Sequence, residues 1–294
     1  MLRFVEMLEH FGQADQLAVY KPTVQLIAQL MNLNDGKEAS AVNPLESARL
    51  DAHKLGGIIS ITLPEECSKL EKQFFYRQQM VLAYYLDDIE LANKMSSKLG
   101  DPFIEGPVSW LPPRLYFQGL VAVAMFRSTR KRCYHKQAKS CLQKLRRFTH
   151  EGNVNCHHMF LILEAESLSL STYNKKLKRT HIASVCGAYN KAIVSAGRLG
   201  FLNDQALANE LCGAYCLTVV EDASLASIYL TRAHHLYVRW GATGKVKQLD
   251  HKYGTYLAIN GSTEYDSALG TGLKARPQLD GIVHPSERSN TFQA

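Results

Sequence analysis

The stretch "RKRCYHKQAKSCLQKLRRF", residues 130–148, sets the fold class. Its apolar residues Tyr134, Ala138, Cys141, Leu145 and Phe148 recur at i, i+4, i+7, i+11 and i+14, which is one face of an α-helix. The opposite face carries Arg132, Lys136, Lys139 and Arg146. Just before it, "PPRLYFQGLVAVAMF" (112–126) opens on prolines and then runs apolar. A helix of that composition is buried on several faces. Together the two stretches predict a helical hairpin with an inner and an outer helix.

The same alternation recurs along the chain. "KLEKQFFYRQQMVLAYYL" (69–86) is followed by a turn at "DDI" and by "ELANKMSSKLG" (90–100), which closes on a glycine. "NCHHMFLILEAESLSL" (155–170) precedes "HIASVCGAYNKAIVSAGRLG" (181–200), and "NDQALANELCGAYCLTVV" (203–220) precedes "DASLASIYLTRAHHLYVRWG" (222–241). The first helices recur roughly every 40–50 residues, near Tyr76, Tyr116, Phe160 and Leu207, a period longer than the ~34 residues of a standard tetratricopeptide unit. The expected fold is all-α, a right-handed tetratricopeptide-like helical-hairpin solenoid over residues 67–258. Residues 1–66 are expected to form an N-terminal helical cap with loops. Within it, "KPTVQLIAQLMN" (21–32) reads as a helix, "LNDGKEASAVNP" (33–44) as a loop, and "GGIISITLP" (56–64) as a β-rich scrap or a loop. Residues 259–294, polar and poor in aliphatics, read as a disordered tail.

Bulk properties narrow the function classes. The 294 residues are 46% hydrophobic and 21% charged, ordinary values for a folded chain. The formal net charge of +7 permits an acidic partner without choosing among protein, nucleic acid and anionic membrane. The longest apolar run, residues 115–126, is too short for a membrane span, and "MLRFVEMLEHF" breaks any signal-peptide core with Arg3 and Glu6. The seven cysteines are odd in number in a long chain with no secretory leader, so reduced thiols and a cytoplasmic location are expected.

"WGATGKVKQL" (240–249) raises the question of a phosphate-binding loop. Such a loop needs G-x-x-x-x-G-K-[S/T] between a strand and a helix. Arg239 stands where the first glycine is required and Val246 where the hydroxyl is required. The preceding segment is helical, with Leu225, Tyr229, Ala233, Leu236 and Trp240 on one face. Gly241 therefore reads as a helix C-cap, Trp240 as a plug at the joint, and Val246, Leu249 and Tyr253 as the stripe of a last short helix that also contains Lys245. No ATP site is expected.

Metal and catalytic motifs are equally thin. "CHH" (156–158), Cys133 with His135, His181 with Cys186, and Cys212 with Cys216 all carry ligand atoms, but without the short paired spacings of a structural zinc module. Cys212 and Cys216 share a helix face in an apolar helix and read as small core residues, and His157 and His158 as a helix start. Neither G-x-S-x-G nor H-E-x-x-H occurs, and no histidine opens a sensor-kinase phosphoacceptor motif. Glu164 and Glu166 point to different faces, as expected for carboxylates bonded between helices. No metal, no cofactor and no catalytic residue are expected.

The basic stretch is the one candidate site. Residues 127–147 hold nine Lys or Arg and no acid, and "NKKLKR" (174–179) adds a second cluster. Arg130, Arg132, Lys136, Lys139 and Arg146 form either a solvated outer face or a docking stripe for an acidic protein segment. Nucleic acid is the competing partner, through 127–147 and 175–179, but Tyr134 and Phe148 lie on the apolar side rather than beside the cations.

The stretch 197–254 then carries a resemblance. Gly200, Phe201, Asp204, Ala206, Leu207, Ala208 and Glu210, followed by Tyr237, Trp240, Gly241, Ala242, Lys245, Val246, Leu249 and Tyr253, are similar to the end of the helical region of large multidomain signalling proteins. "EGNVNCHHMFLILEAESLSL" (151–170) resembles the middle of such regions. In that family a serine/threonine-kinase-like domain and an AAA-type ATPase precede the tetratricopeptide-like stretch, and GAF and histidine-kinase domains often follow. Gly254 stands where the family has proline. Because the chain carries no motif of the catalytic domains, the resemblance implies only the helical connector. It implies a non-catalytic scaffold or regulatory module that binds kinase or ATPase signalling components.

Overall fold

The structure, a computed structural model, describes residues 10–12, 23, 26, 27, 30, 68–99, 110–170 and 179–257. The expectations for residues 33–44, 56–64, 174–178 and 259–294 lie outside the described residues. The described residues are all-helical, with no strand among them.

Helix α1 (Lys69–Tyr85) begins at a capping box. The Glu71 amide donates to Ser68 Oγ (3.2 Å), and the Ser68 amide donates to Glu71 Oε2 (2.5 Å). Asp87 then takes a left-handed conformation (φ 68°), and Asp88 caps α2 (Ile89–Ser97) by accepting from the Leu91 amide at 3.0 Å. Helix α3 (Leu111–Thr129) starts with prolines in its first turn, where no intrahelical donor is needed, and stops at Arg130, which is left-handed (φ 56°). Helices α4 (Arg132–His150), α5 (His157–Ser169) and α6 (Arg179–Arg198) follow, with a single 3₁₀ turn, Val154–Cys156, leading into α5. Helix α7 (Leu202–Tyr215) does not continue as an α-helix to residue 220. Cys216–Val220 widens into a π-helical turn, closed by the left-handed Glu221 (φ 59°). The β-branched run Thr218, Val219 and Val220 weakens a regular last turn. Asp222 caps α8 (Ala223–Trp240), Gly241 ends it at φ 81°, and α9 (Thr243–Tyr253) runs into a final 3₁₀ turn, Gly254–Tyr256.

Consecutive helices pack in hairpins, α1 with α2, α3 with α4, α5 with α6 and α7 with α8. Successive hairpins meet through their first helices, α1 on α3, α3 on α5 and α5 on α7, and the second helix of each touches the first of the next. The inner–outer division expected from the sequence is plain in α3 and α4. Helix α3 buries Leu115, Tyr116, Leu120, Val121 and Val123 among others around its circumference, whereas α4 buries only Ala138, Cys141 and Leu145. A helical segment containing Leu26 and Leu30 packs on the same core, where Gln78 Nε2 donates to Thr23 Oγ1 at 2.8 Å.

Two glycines set the helix spacing. A Cβ on Gly119 would lie 2.5 Å from Leu163 Cδ2 and 3.2 Å from Cys141 Cβ, so α3 touches both α4 and α5 at this point. A Cβ on Gly213 would lie 2.7 Å from Leu230 Cγ and 3.3 Å from the Ala226 carbonyl oxygen. Leu163 and Leu230 are fully buried and have nowhere to move.

Several charged and polar side chains of the buried inner helices are paired inside the protein. Glu210 on α7 accepts from Lys245 Nζ (2.8 Å) and from the Tyr237 hydroxyl (2.8 Å). His158 Nε2 lies 2.9 Å from Asp204 Oδ2 while its ring stacks on Phe201 at 4.2 Å. Arg127 donates to Glu166 through both terminal nitrogens, at 2.8 and 3.1 Å, and Tyr189 donates to the same carboxylate. Burial, reinforced by the charge of the paired carboxylate, holds the Tyr189 and Tyr237 phenols well above the usual tyrosine range. The first and last hairpins also touch. Tyr85 meets Trp240 (5.7 Å) and Tyr237 (6.4 Å), and Lys252 Nζ pairs with Asp87 Oδ2 at 2.5 Å.

Two stability outcomes follow from this packing. Lys245→Ala strands the buried Glu210 carboxylate and is expected to cost about 3–5 kcal/mol in urea unfolding. Gly213→Val is expected to cost about 1–3 kcal/mol by overpacking the α7–α8 crossing, measured in the same way. Gly200→Ala, at a left-handed position open to solvent, serves as the comparison in which strain acts without steric overlap.

Candidate interaction surface

The basic face of α4 is built as the sequence lays it out. Arg132, Lys136, Lys139 and Arg146 are all solvent-exposed, opposite the buried Ala138, Cys141 and Leu145. Arg130 is exposed as well, but sits at the left-handed cap of α3 rather than on α4. No acidic residue lies in α4, and Glu164 of α5 lies 3.9 Å from Arg146. A pair of that length between exposed side chains contributes little. Tyr134 and Phe148 are half-buried against the core, and the exposed ring beside the cations is that of His135, which packs on Phe126 at 5.3 Å.

Arg127 belongs to a different environment. Its guanidinium is turned inward onto Glu166, and Nη2 also donates to Ser169 Oγ at 2.6 Å. It holds α3 to α5 and is not part of the surface stripe. Glu166 is buried and Glu164 half-exposed, the division expected from their spacing.

Beside the stripe lies a groove that periodicity did not reveal. Its floor is apolar: Val154 (65% exposed), Leu161, Val194 (48%) and Leu199 (41%), contributed by the 3₁₀ turn, α5 and α6. The exposed cations Lys191 and Arg198 stand on its rim, and no carboxylate lines it. Its volume is about 720 Å³. The groove and the stripe connect through rings. His157 lines the groove and packs on Phe160 (6.5 Å), and Arg146 lies over the other reach of Phe160 (5.7 Å). Exposed valines and leucines at loop and helix ends carry a weak sequence signal, because single exposed apolar residues are common. Only their convergence makes a patch.

The other singled-out residues fall in the interior. Trp240 is half-buried between Tyr85 and Tyr237, Gly241 is the left-handed cap, and Val246 packs on the core. Lys245 is 2% exposed, with its ammonium held by Glu210 and by Gln248 Oε1 (2.8 Å). That amine is committed to neutralising a carboxylate and does not face a phosphate. Cys156 Sγ donates to the Asn153 carbonyl at 3.2 Å, and Cys133 is exposed. The thiols of Cys186, Cys212 and Cys216 converge to within 4.8 Å of one another, a grouping of α6 with α7 that sequence spacing does not predict.

The two kinds of arginine are separable by stability. Arg132→Gln, Lys136→Gln and Lys139→Gln are each expected to change the unfolding free energy by less than about 0.5 kcal/mol. Arg127→Gln takes away the cation that donates two hydrogen bonds to the buried Glu166 carboxylate and is expected to cost about 3 kcal/mol, read from urea midpoints.

Compared with known proteins, the chain matches no family model, no curated protein and no solved structure.

Proposed function

We propose that the protein is a non-catalytic helical-repeat scaffold, a tetratricopeptide-like solenoid of hairpins that docks an acidic, amphipathic protein segment. The observation that supports it best is the junction of the two surface features. The exposed cations Arg132, Lys136, Lys139 and Arg146 run toward an open apolar groove whose own rim is basic. A segment with apolar residues on one side and carboxylates on the other complements both. The repeated packing of first helix on first helix supports stacked hairpins, and the contact of Tyr85 with Tyr237 and Trp240 curls the stack so that its first and last hairpins meet. The resemblance of residues 197–254 to the helical region of multidomain signalling proteins supports a kinase- or ATPase-containing partner.

Nucleic acid is the second reading, favoured by the same cations and weakened by the half-burial of Tyr134 and Phe148 on the core side of α4. The test uses a fluorescein-labelled helical peptide with leucines on one face and glutamates on the other. A scrambled peptide of the same composition and a single-stranded oligonucleotide of equal charge serve as comparisons. The amphipathic peptide is expected to bind at least about tenfold more tightly than the scrambled one, a difference of ~1.4 kcal/mol. Val194→Glu is expected to abolish that preference, and the fourfold Gln variant of the stripe to slow association and flatten the salt dependence. Equal binding of both peptides would overturn the groove. Stronger binding of the oligonucleotide, with a steep salt slope lost in the fourfold variant, would replace protein by nucleic acid.

A further inference from the structure

Three thiols meet where α6 packs against the end of α7. Cys186 is presented by α6 and is half-exposed, while Cys212 and Cys216 come from α7 and its extension and are buried. The three sulfurs lie within 4.8 Å of one another, and all three cysteines are free. The π-helical turn begins at Cys216 itself, and the Cys216 carbonyl accepts from the Asp222 amide at 3.1 Å beyond the widened loop. Single π turns occur frequently at functional sites, because the inserted residue re-aims the side chains around it. Here the widened turn adjoins the one cysteine cluster among the described residues.

We propose that Cys186, Cys212 and Cys216 bind one Zn²⁺ ion, with the fourth coordination position open to water on the side of Cys186. A zinc–sulfur bond of ~2.3 Å places the sulfurs of a tetrahedral site about 3.8 Å apart, so the cluster contracts by no more than about 1 Å to close on the ion. Movements of that size are within reach of cysteine side chains, each of which has one free torsion. Charge selects the ion. Three thiolates with Zn²⁺ leave a net −1, whereas a monovalent soft ion leaves −2 in a largely buried site that already faces the negative charge of Asp222. The ion enters beside Cys186, and the thiol protons pass to water as the sulfur–zinc bonds form. The bound ion cross-links α6 to the widened end of α7, adjoining the Tyr229–Asn190 hydrogen bond (3.1 Å) that ties α8 to α6.

The experiment uses the full chain, purified under reducing conditions and stripped of metal. Titration with Co²⁺, a spectroscopic stand-in for zinc, is expected to give a thiolate-to-metal charge-transfer band that saturates at one equivalent and is bleached by Zn²⁺. Zn²⁺ at about a hundredfold over its Kd is expected to raise the melting temperature by roughly 5–10 °C. Cys186→Ser, at a half-exposed position, is expected to fold with an unchanged far-ultraviolet circular dichroism spectrum and to lose both the band and the shift. Cys133→Ser, at an exposed thiol outside the cluster, is expected to keep both. Absence of a stoichiometric band in the unaltered protein overturns the site. So does a band that survives in Cys186→Ser, or one that disappears in Cys133→Ser.

Discussion

The Glu210 carboxylate lies inside α7, in the middle of the protein, and must be neutralised there. Leaving one ionised group unpaired in such an interior costs several kcal/mol, a large part of the net stability of a folded domain. Lys245 reaches it from α9 and Tyr237 from α8, so a single buried charge fixes three helices in one register. The same device recurs at Glu166, which joins α3 to α5 and α6 through Arg127 and Tyr189, and at Asp204, which joins α7 to α5 through His158. Hydrophobic burial drives these helices together, but it is not directional. The buried ion pairs and hydrogen bonds specify which way each helix is turned.

Close approach is the second constraint. Helices carrying bulky side chains all round pack at distances set by those side chains. Gly119 and Gly213 remove the side chain at two crossings and let Leu163 and Leu230 fill the space. Between the same helices the long Arg127 side chain of α3 spans to Glu166 and Ser169 of α5. Toward the two ends of the described chain, Tyr85, Tyr237 and Trp240 form an aromatic joint, and the Lys252–Asp87 pair closes over it.

The outer surface answers to different physics. Arg132, Lys136, Lys139 and Arg146 on α4 are exposed and add little to stability, so their spacing is free to serve association. The groove between the 3₁₀ turn, α5 and α6 leaves valines and leucines in water next to more cations. Exposed apolar area beside a field of one sign is a combination that folding does not require.

The sequence by itself determined the helical class, the hairpin boundaries to within a few residues and the division into inner and outer helices, because a 3.6-residue period is a local property of the chain. It also determined that "WGATGKVKQL" lacks the phosphate-loop pattern and joins two helices through a Gly241 cap, since the missing glycine and hydroxyl are visible one residue at a time. The tertiary structure alone decided which charges lie inside. Nine cations in residues 127–147 look alike in sequence, yet Arg127 turns inward because Glu166, thirty-nine residues away, sits opposite it. Lys245 looks like a surface residue in a glycine-rich turn, and only the approach of α7 makes it a buried partner of Glu210. The groove and the three-thiol cluster are likewise products of packing. Their residues come from separate helices, and no spacing along the chain records that those helices meet.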